Sequence, residues 1–207
     1  ALFGLPGSGR AMVYAALARS TGRFLCIVTP GEAEATRFAG DLNALGVAAA
    51  VFPARDYVLR PIEGTAREYE YRRLSVLGDI VGGRLQAVCV PDEGLTQYTT
   101  PRAEFCRNTR TLHPGDTVPR AELTALLYNA GYARRAQVDG PGQFSIRGDI
   151  VDLYAPDMKL PVRMEFWGDE IDTMHTFDLA TQRREDPIEK IYVSPAREVL
   201  FGSPAEA

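Results

Sequence analysis

The chain has 207 residues, of which 45% are hydrophobic, enough to bury a sizeable core in one large or two modest domains. A formal charge of -4 and a pI of about 5.3 exclude bulk attraction to phosphate backbones, so any nucleic-acid role would need a local basic patch. No run reaches the roughly 20 apolar residues of a membrane span and no signal-like amino terminus is present; a cytoplasmic location is expected, and the missing initiator Met reads as a piece of a longer chain.

Ala1-Leu2-Phe3, the turn GLPGSGR and then AMVYAALARS read as strand, glycine-rich turn and helix, the grammar of a phosphate-binding loop. Gly4, Gly7 and Gly9 fit that grammar. Arg10, however, stands where the loop's lysine belongs, and Ala11 where the magnesium-binding hydroxyl belongs. Arginine is a wide planar fork ill suited to a tight phosphate cradle, and alanine offers a metal no oxygen. The expectation is a degenerate loop without catalysis, whose amides retain the capacity to hold an anion at the helix start.

FLCIVT (24–29) is a continuous apolar run of the kind buried in parallel sheets, followed by a helical stretch to Leu45 and a short strand at 48–52. PARDYVLRPIEGT is a turn-rich connection. A helix over 67–81 carries Tyr71, Leu74, Leu77 and Val81 on one face, and QAVCV (86–90) is the next buried strand. Asp92 and Glu93 after that strand invite a catalytic reading, but an aspartate at such a junction is expected to start a helix. Alternating strand and helix to Tyr98 predicts an α/β layer with a mainly parallel sheet.

From Thr99 the pattern changes. A strand-like piece ends at Pro114-Gly115, and Leu123, Leu126, Leu127 and Ala130 form a helical stripe closed by Gly131 as the C′ residue. The stretch 131–177 then reads as an antiparallel meander. Phe144 and Ile146 alternate with Ser145 and Arg147, which displays Arg147 to solvent; Gly148 interrupts, and Val151 and Leu153 resume on the other parity, as a bulge would produce. Val162, Met164 and Phe166 make the next strand, and Gly168-Asp169 is a hairpin signal leading into Ile171 to Phe177. A charged turn, a short strand at 191–193 and a connector follow.

Cys26, Cys89 and Cys106 form no CxxC pair, and Cys26 and Cys89 sit in apolar runs where a thiol acts as a small hydrophobe. The two histidines, His113 and His175, fall in different elements. Neither a metal, a cofactor nor a histidine-based catalytic centre is expected.

At GQFSIRGDIVDLYAP, VRMEFWGDEIDTMHTFDLATQR and VSPAREV the chain resembles the amino-terminal UvrB-homology module of bacterial transcription-repair coupling factors, and more distantly UvrB. GLPGSGR is closer to the degenerate loop of the coupling factors than to the intact loop of UvrB, and PARDYVLRPIEGT is too short for UvrB's DNA-clamping hairpin. The resemblance implies an incomplete, helicase-like or RecA-like α/β domain over 1–98. A small α+β domain that docks the damage-recognition protein UvrA follows over 99–193, with a connector over 194–207. Matched to UvrB's docking face, Arg134 and Arg147 are the UvrA-binding residues; Ser145 replaces a further arginine there, and Arg135 or Phe144 is expected to contribute. RNA polymerase and DNA would be partners of other domains of a longer, ATP-dependent translocase, and this part would be a non-enzymatic recruitment module. The competing expectations are residual ATP binding at the loop, or a UvrB-like DNA-binding surface made by the same arginines.

Overall fold

A computed structural model describes residues 4–55 and 65–198, with the side chains of 65–67 left aside. The strand expected at Ala1–Phe3 and most of the PARDYVLRPIEGT connection lie outside the described residues. The chain divides into two compact units, residues 1–98 and 99–207.

The first unit runs α1 (Gly7–Thr21), β1 (Leu25–Thr29), α2 (Glu32–Ala44), β2 (Ala49–Val51), α3 (Thr65–Val81), β3 (Ala87–Pro91) and α4 (Asp92–Leu95). Its strands form a parallel sheet in the order β1-β3-β2. All five residues of β3 are buried, because a central strand with helices over both faces has no solvent side. Ala11, Ala15 and Ala18 of α1 pack with Phe38 and Leu42 of α2 against Ile27 and Cys89. On the other face, Val76 of α3 meets Phe52, Val88 and Val90.

Two readings are corrected here. β1 is not a buried run: Cys26 is exposed and Val28 is 51% exposed. Among the described strands β1 lies at the edge, while the α3 cluster gathers side chains of β3 and of the β2 end. The face of α3 is also rotated from the expected stripe, with Arg73, Leu74 and Val76 buried and Tyr71 only partly so. Arg73 is held inside by a cation–π contact 4.0 Å over Phe52 and by hydrogen bonds to the carbonyl of Pro53 (2.7 Å) and to Gln97 Oε1 (3.3 Å). Asp92 opens α4, its carboxylate accepting the Glu93 amide at 2.9 Å.

The second unit contains α5 (Arg102–Arg107), β4 (Arg110–Leu112), α6 (Arg120–Asn129), β5 (Ala133–Arg134), β6 (Gln143–Arg147), β7 (Ile150–Tyr154), β8 (Val162–Trp167), β9 (Glu170–Phe177), β10 (Arg184–Pro187) and β11 (Ile191–Val193). Six strands form one sheet in the order β10-β9-β8-β7-β6-β5, antiparallel except for β5 beside β6; β11 and β4 form a separate pair. Leu123 and Leu127 of α6 pack with Phe144, Val151, Leu153, Val162, Met164 and Ile171 in one core. Gly131 ends α6 as C′ with φ +85; its amide donates to the Tyr128 carbonyl (3.0 Å) and the Tyr132 amide to that of Leu127 (2.9 Å), a Schellman arrangement. Residues 194–196 return to α6: Tyr132 Oη donates to the Ser194 carbonyl (2.7 Å) and the Ala196 amide to the Ala130 carbonyl (2.7 Å).

The expected bulge at Gly148 is a hairpin. Arg147 pairs with Ile150, Ile146 with Val151 and Phe144 with Leu153, around the two-residue turn Gly148-Asp149 with Gly148 at φ +60. A two-residue turn shifts the inward parity by one, as a bulge does, so the apolar pattern alone does not separate the two. The second hairpin lies where Gly168-Asp169 predicts it, with Trp167 opposite Glu170. A bulge is present elsewhere, between Glu165 and Phe166.

Candidate functional site

The face of the six-stranded sheet away from α6 carries a polar row built by register. Ser145 lies opposite Asp152, Asp152 opposite Arg163, and Arg163 opposite His175, one residue from each of β6, β7, β8 and β9. Successive strand residues face opposite ways, so these stand on the surface that Phe144, Val151, Val162 and Met174 do not use.

Asp152 is the hub. It is fully buried and accepts from Arg147 Nη2 (2.5 Å), Arg163 Nε (2.6 Å), Arg163 Nη2 (2.9 Å) and, at 3.5 Å, Ser145 Oγ. The Arg163 fork is thus bidentate, the geometry in which charge-assisted bonds are strongest. Arg163 also donates to Gln182 Oε1 (3.1 Å) and stands 4.5 Å over the Phe177 ring. Its bond to Asp152 raises its pKa above the ordinary arginine value despite opposing burial. His175 is buried next to this group, and its Nδ1 has no hydrogen-bond partner among the described residues. Burial, then the charge of Arg184, push its pKa below the usual histidine value, so it is neutral at physiological pH.

Asp152 serves two guanidiniums, and Glu165 adds a second carboxylate on the same face, 3.9 Å from His175. Arg147 is 44% exposed, and only its Nη2 is engaged by a described residue; the rest of the fork faces outward on a side chain whose position is set from below. Arg134 and Arg135 are exposed, with no side-chain partner among the described residues. Arg134 lies in register with Phe144, so Arg147 is three residues farther along β6, about 10 Å of strand rise. The odd offset sends the two arginines out on opposite faces around the β6 edge.

Phe144 does not fit its expected role. Its side chain is fully buried in the core and stacks edge-on against Tyr128, ring centroids 5.4 Å apart, so it offers a partner no surface. Tyr128 is the aromatic that emerges there, 52% exposed. Sequence reasoning passed over it because it lies beside the Leu123-Leu127 stripe. Trp167, 84% exposed at the second hairpin, is a further aromatic that the apolar pattern does not single out. Asp152 gave no signal at all, since a lone acid in IVDLY shows its partners only after three strands have paired.

The glycine turn of the first unit departs from a phosphate loop. Gly4 precedes the helix with φ +75, but Gly7 and Gly9 lie within α1, whose first turn closes with the Arg10 amide on the Pro6 carbonyl at 3.0 Å. The amides expected to curl around an anion are therefore those of a helix start. Arg10 reaches Glu34 at 3.5 Å, and Ala11 is packed into the core. The cleft lined by Arg10, Glu34, Tyr14 and Thr29 holds about 70 Å³, far below a typical ligand pocket. Among the described residues no group of histidine, cysteine and acidic side chains is placed to hold a metal, and no helix is long and apolar enough to cross a membrane.

Residues 111–199 match the UvrB interaction domain. The chain is 34% identical to the transcription-repair-coupling factor of Mycobacterium bovis over 98% of its own length and 17% of that protein. It is 27% identical to that of Bacillus subtilis over 97% of the chain and 17% of the relative, and 29% identical to one from Staphylococcus aureus over 72% and 13%. The chain thus spans 17% or less of each of these relatives. Arg134, Arg135 and Arg147 with the buried Asp152 all fall inside the matched domain, and the chain, which carries a UvrB interaction domain, is a relative of the transcription-repair-coupling factors over nearly its whole length.

Proposed function

We propose that this chain is the part of a transcription-repair-coupling factor that recruits the nucleotide-excision-repair protein UvrA, with Arg134 and Arg147 as the principal contacts and Arg135 beside them. The observation that carries the reading is Arg147, exposed yet fixed by the fully buried Asp152, inside a UvrB interaction domain. A guanidinium already held in place loses little freedom on docking, and its open donors suit a partner carboxylate. The first unit serves as a scaffold without catalysis. Arg10 neutralised by Glu34 and Ala11 packed into the core support that role. Polymerase binding and ATP-driven DNA translocation belong to other parts of the longer protein.

Calorimetric titration with purified UvrA tests the proposal. Wild type binds, and Arg134→Ala/Arg147→Ala binds on the order of a thousandfold more weakly, each arginine contributing about 2 kcal/mol as an interface hot spot. A folded wild type that does not bind UvrA overturns it. Magnesium-dependent ATP turnover lost in Gly9→Asp would instead assign an enzyme, and salt-sensitive duplex binding weakened by the arginine changes a DNA-binding surface.

A further inference from the structure

The two edges of the six-stranded sheet are treated differently. At one edge, β10 reads Arg184-Glu185-Asp186-Pro187, all exposed, with an irregular register against β9. Charge, proline and irregularity are the usual means of preventing another strand from pairing there. The other edge is blunted only by a short strand and arginine side chains, without proline or an irregular register. β5 is two residues long and pairs only with Gln143 and Phe144, so among the described residues no strand pairs with the outer side of β6 at Ser145, Ile146 and Arg147.

The hydrogen bonds show which main-chain groups are offered. The Ala133 amide donates to the Gly142 carbonyl (2.9 Å) and the Arg135 amide to the Phe144 carbonyl (2.8 Å), so even-numbered β6 residues direct their main chain outward. Odd-numbered ones face β7, as Arg147 opposite Ile150 beside a two-residue turn requires. Ile146 is the next even position. Its amide and carbonyl point past the end of β5, and no described residue pairs with that amide. Its side chain meanwhile packs on the core, which holds the strand in place.

Charge selects the occupant. Arg134 borders this edge from one face, Arg135 and Arg147 from the other, while the nearby Asp149 is taken by Arg120 at 2.6 Å and Asp152 is buried. A second copy of the same edge would bring these arginines against their counterparts.

We propose that the open edge of β6 at Ile146 pairs, main chain to main chain, with an extended acidic segment of the partner protein. Consecutive residues of such a segment point to opposite faces, so adjacent carboxylates would reach Arg134 on one side and Arg135 or Arg147 on the other. This inference rests on the recruitment reading and specifies how the docking is made.

The test removes one proton donor and leaves every side chain in place: the amide of Ile146 in the full 207-residue chain is replaced by an ester through the corresponding α-hydroxy acid. Thermal melts confirm that the variant folds. Titration with purified UvrA should show affinity lowered about three- to tenfold, the effect of one main-chain hydrogen bond, with binding losing little of its salt dependence. Hydrogen exchange supplies a second readout: the Ile146 amide of wild type should be protected at least tenfold on complex formation. Wild-type affinity in the ester variant with unchanged Ile146 exchange, while Arg134→Ala/Arg147→Ala loses binding, overturns strand pairing and leaves recruitment standing. Absence of wild-type binding overturns both. Self-association of the chain that the ester abolishes, without effect on UvrA, assigns the edge to a second copy and overturns the proposal.

Discussion

Asp152→Asn should destabilise the second unit by about 3 kcal/mol, far more than loss of either exposed arginine. Removing one partner of a buried ion pair typically costs about 3–5 kcal/mol, because the remaining charge is stranded. Arg163 is that charge, with its side chain 14% exposed and two of its bonds made to Asp152. The lower end of the range applies, since Gln182 and the Phe177 ring still engage the guanidinium and the asparagine oxygen can accept one bond. Arg147→Ala should cost only about 1 kcal/mol: its side chain is 44% exposed, screening weakens its pairing, and Asp152 keeps Arg163. Native-state hydrogen exchange at the β7 and β8 amides reads the stability of the second unit separately from the first. A cost below about 1 kcal/mol for Asp152→Asn, or equal costs for the two variants, would refute the view that Asp152 is the hub and Arg147 its displayed partner. The same pair of variants separates positioning from contact, because Arg147→Ala should lose UvrA affinity while barely changing stability.

Three further outcomes follow from single residues. Folded His175 resists protonation, whereas in the unfolded chain it titrates near 6.5; stability is therefore fully present above that pH and falls as pH drops through the depressed folded value. Urea unfolding between pH 7.5 and 5 should show this segment in wild type and a shallower one in His175→Gln; identical slopes would refute the assignment. Gly131→Ala should cost about 2–3 kcal/mol, combining φ +85 with a new Cβ 2.7 Å from Arg197 Cβ, whereas Gly115→Ala, at φ +89 in open space, should cost about 1 kcal/mol in thermal melts. Native alkylation at pH 8 should leave Cys89 unmodified, since it is buried and its pKa is pushed up to about 11, while the exposed Cys106 reacts; mass mapping that finds Cys89 labelled alongside Cys106 would contradict the packing of β3.

Local chemistry was legible in the sequence because it depends on neighbours along the chain. Gly131 closing α6, Gly168-Asp169 turning a hairpin and the alternation of strand and helix before Tyr98 each follow from backbone preference and hydrophobic period within a few residues. The exposure of Arg147 was also legible, from alternation alone. Position within a sheet was not legible. Cys26 reads as buried because LCIV is apolar, but it is exposed, on a strand that lies at the edge among the described strands β1-β3-β2. Phe144 reads as a contact candidate and is core, since register turns it toward Leu127 and Tyr128. Asp152 becomes the anchor of Arg147 only when β6, β7 and β8 bring residues 147, 152 and 163 to one point. Sequence determined which residues can turn, cap or alternate; tertiary structure decided which face is covered, which edge is open and which charges meet, because those depend on strand order and register between segments that a period of two or 3.6 residues does not encode.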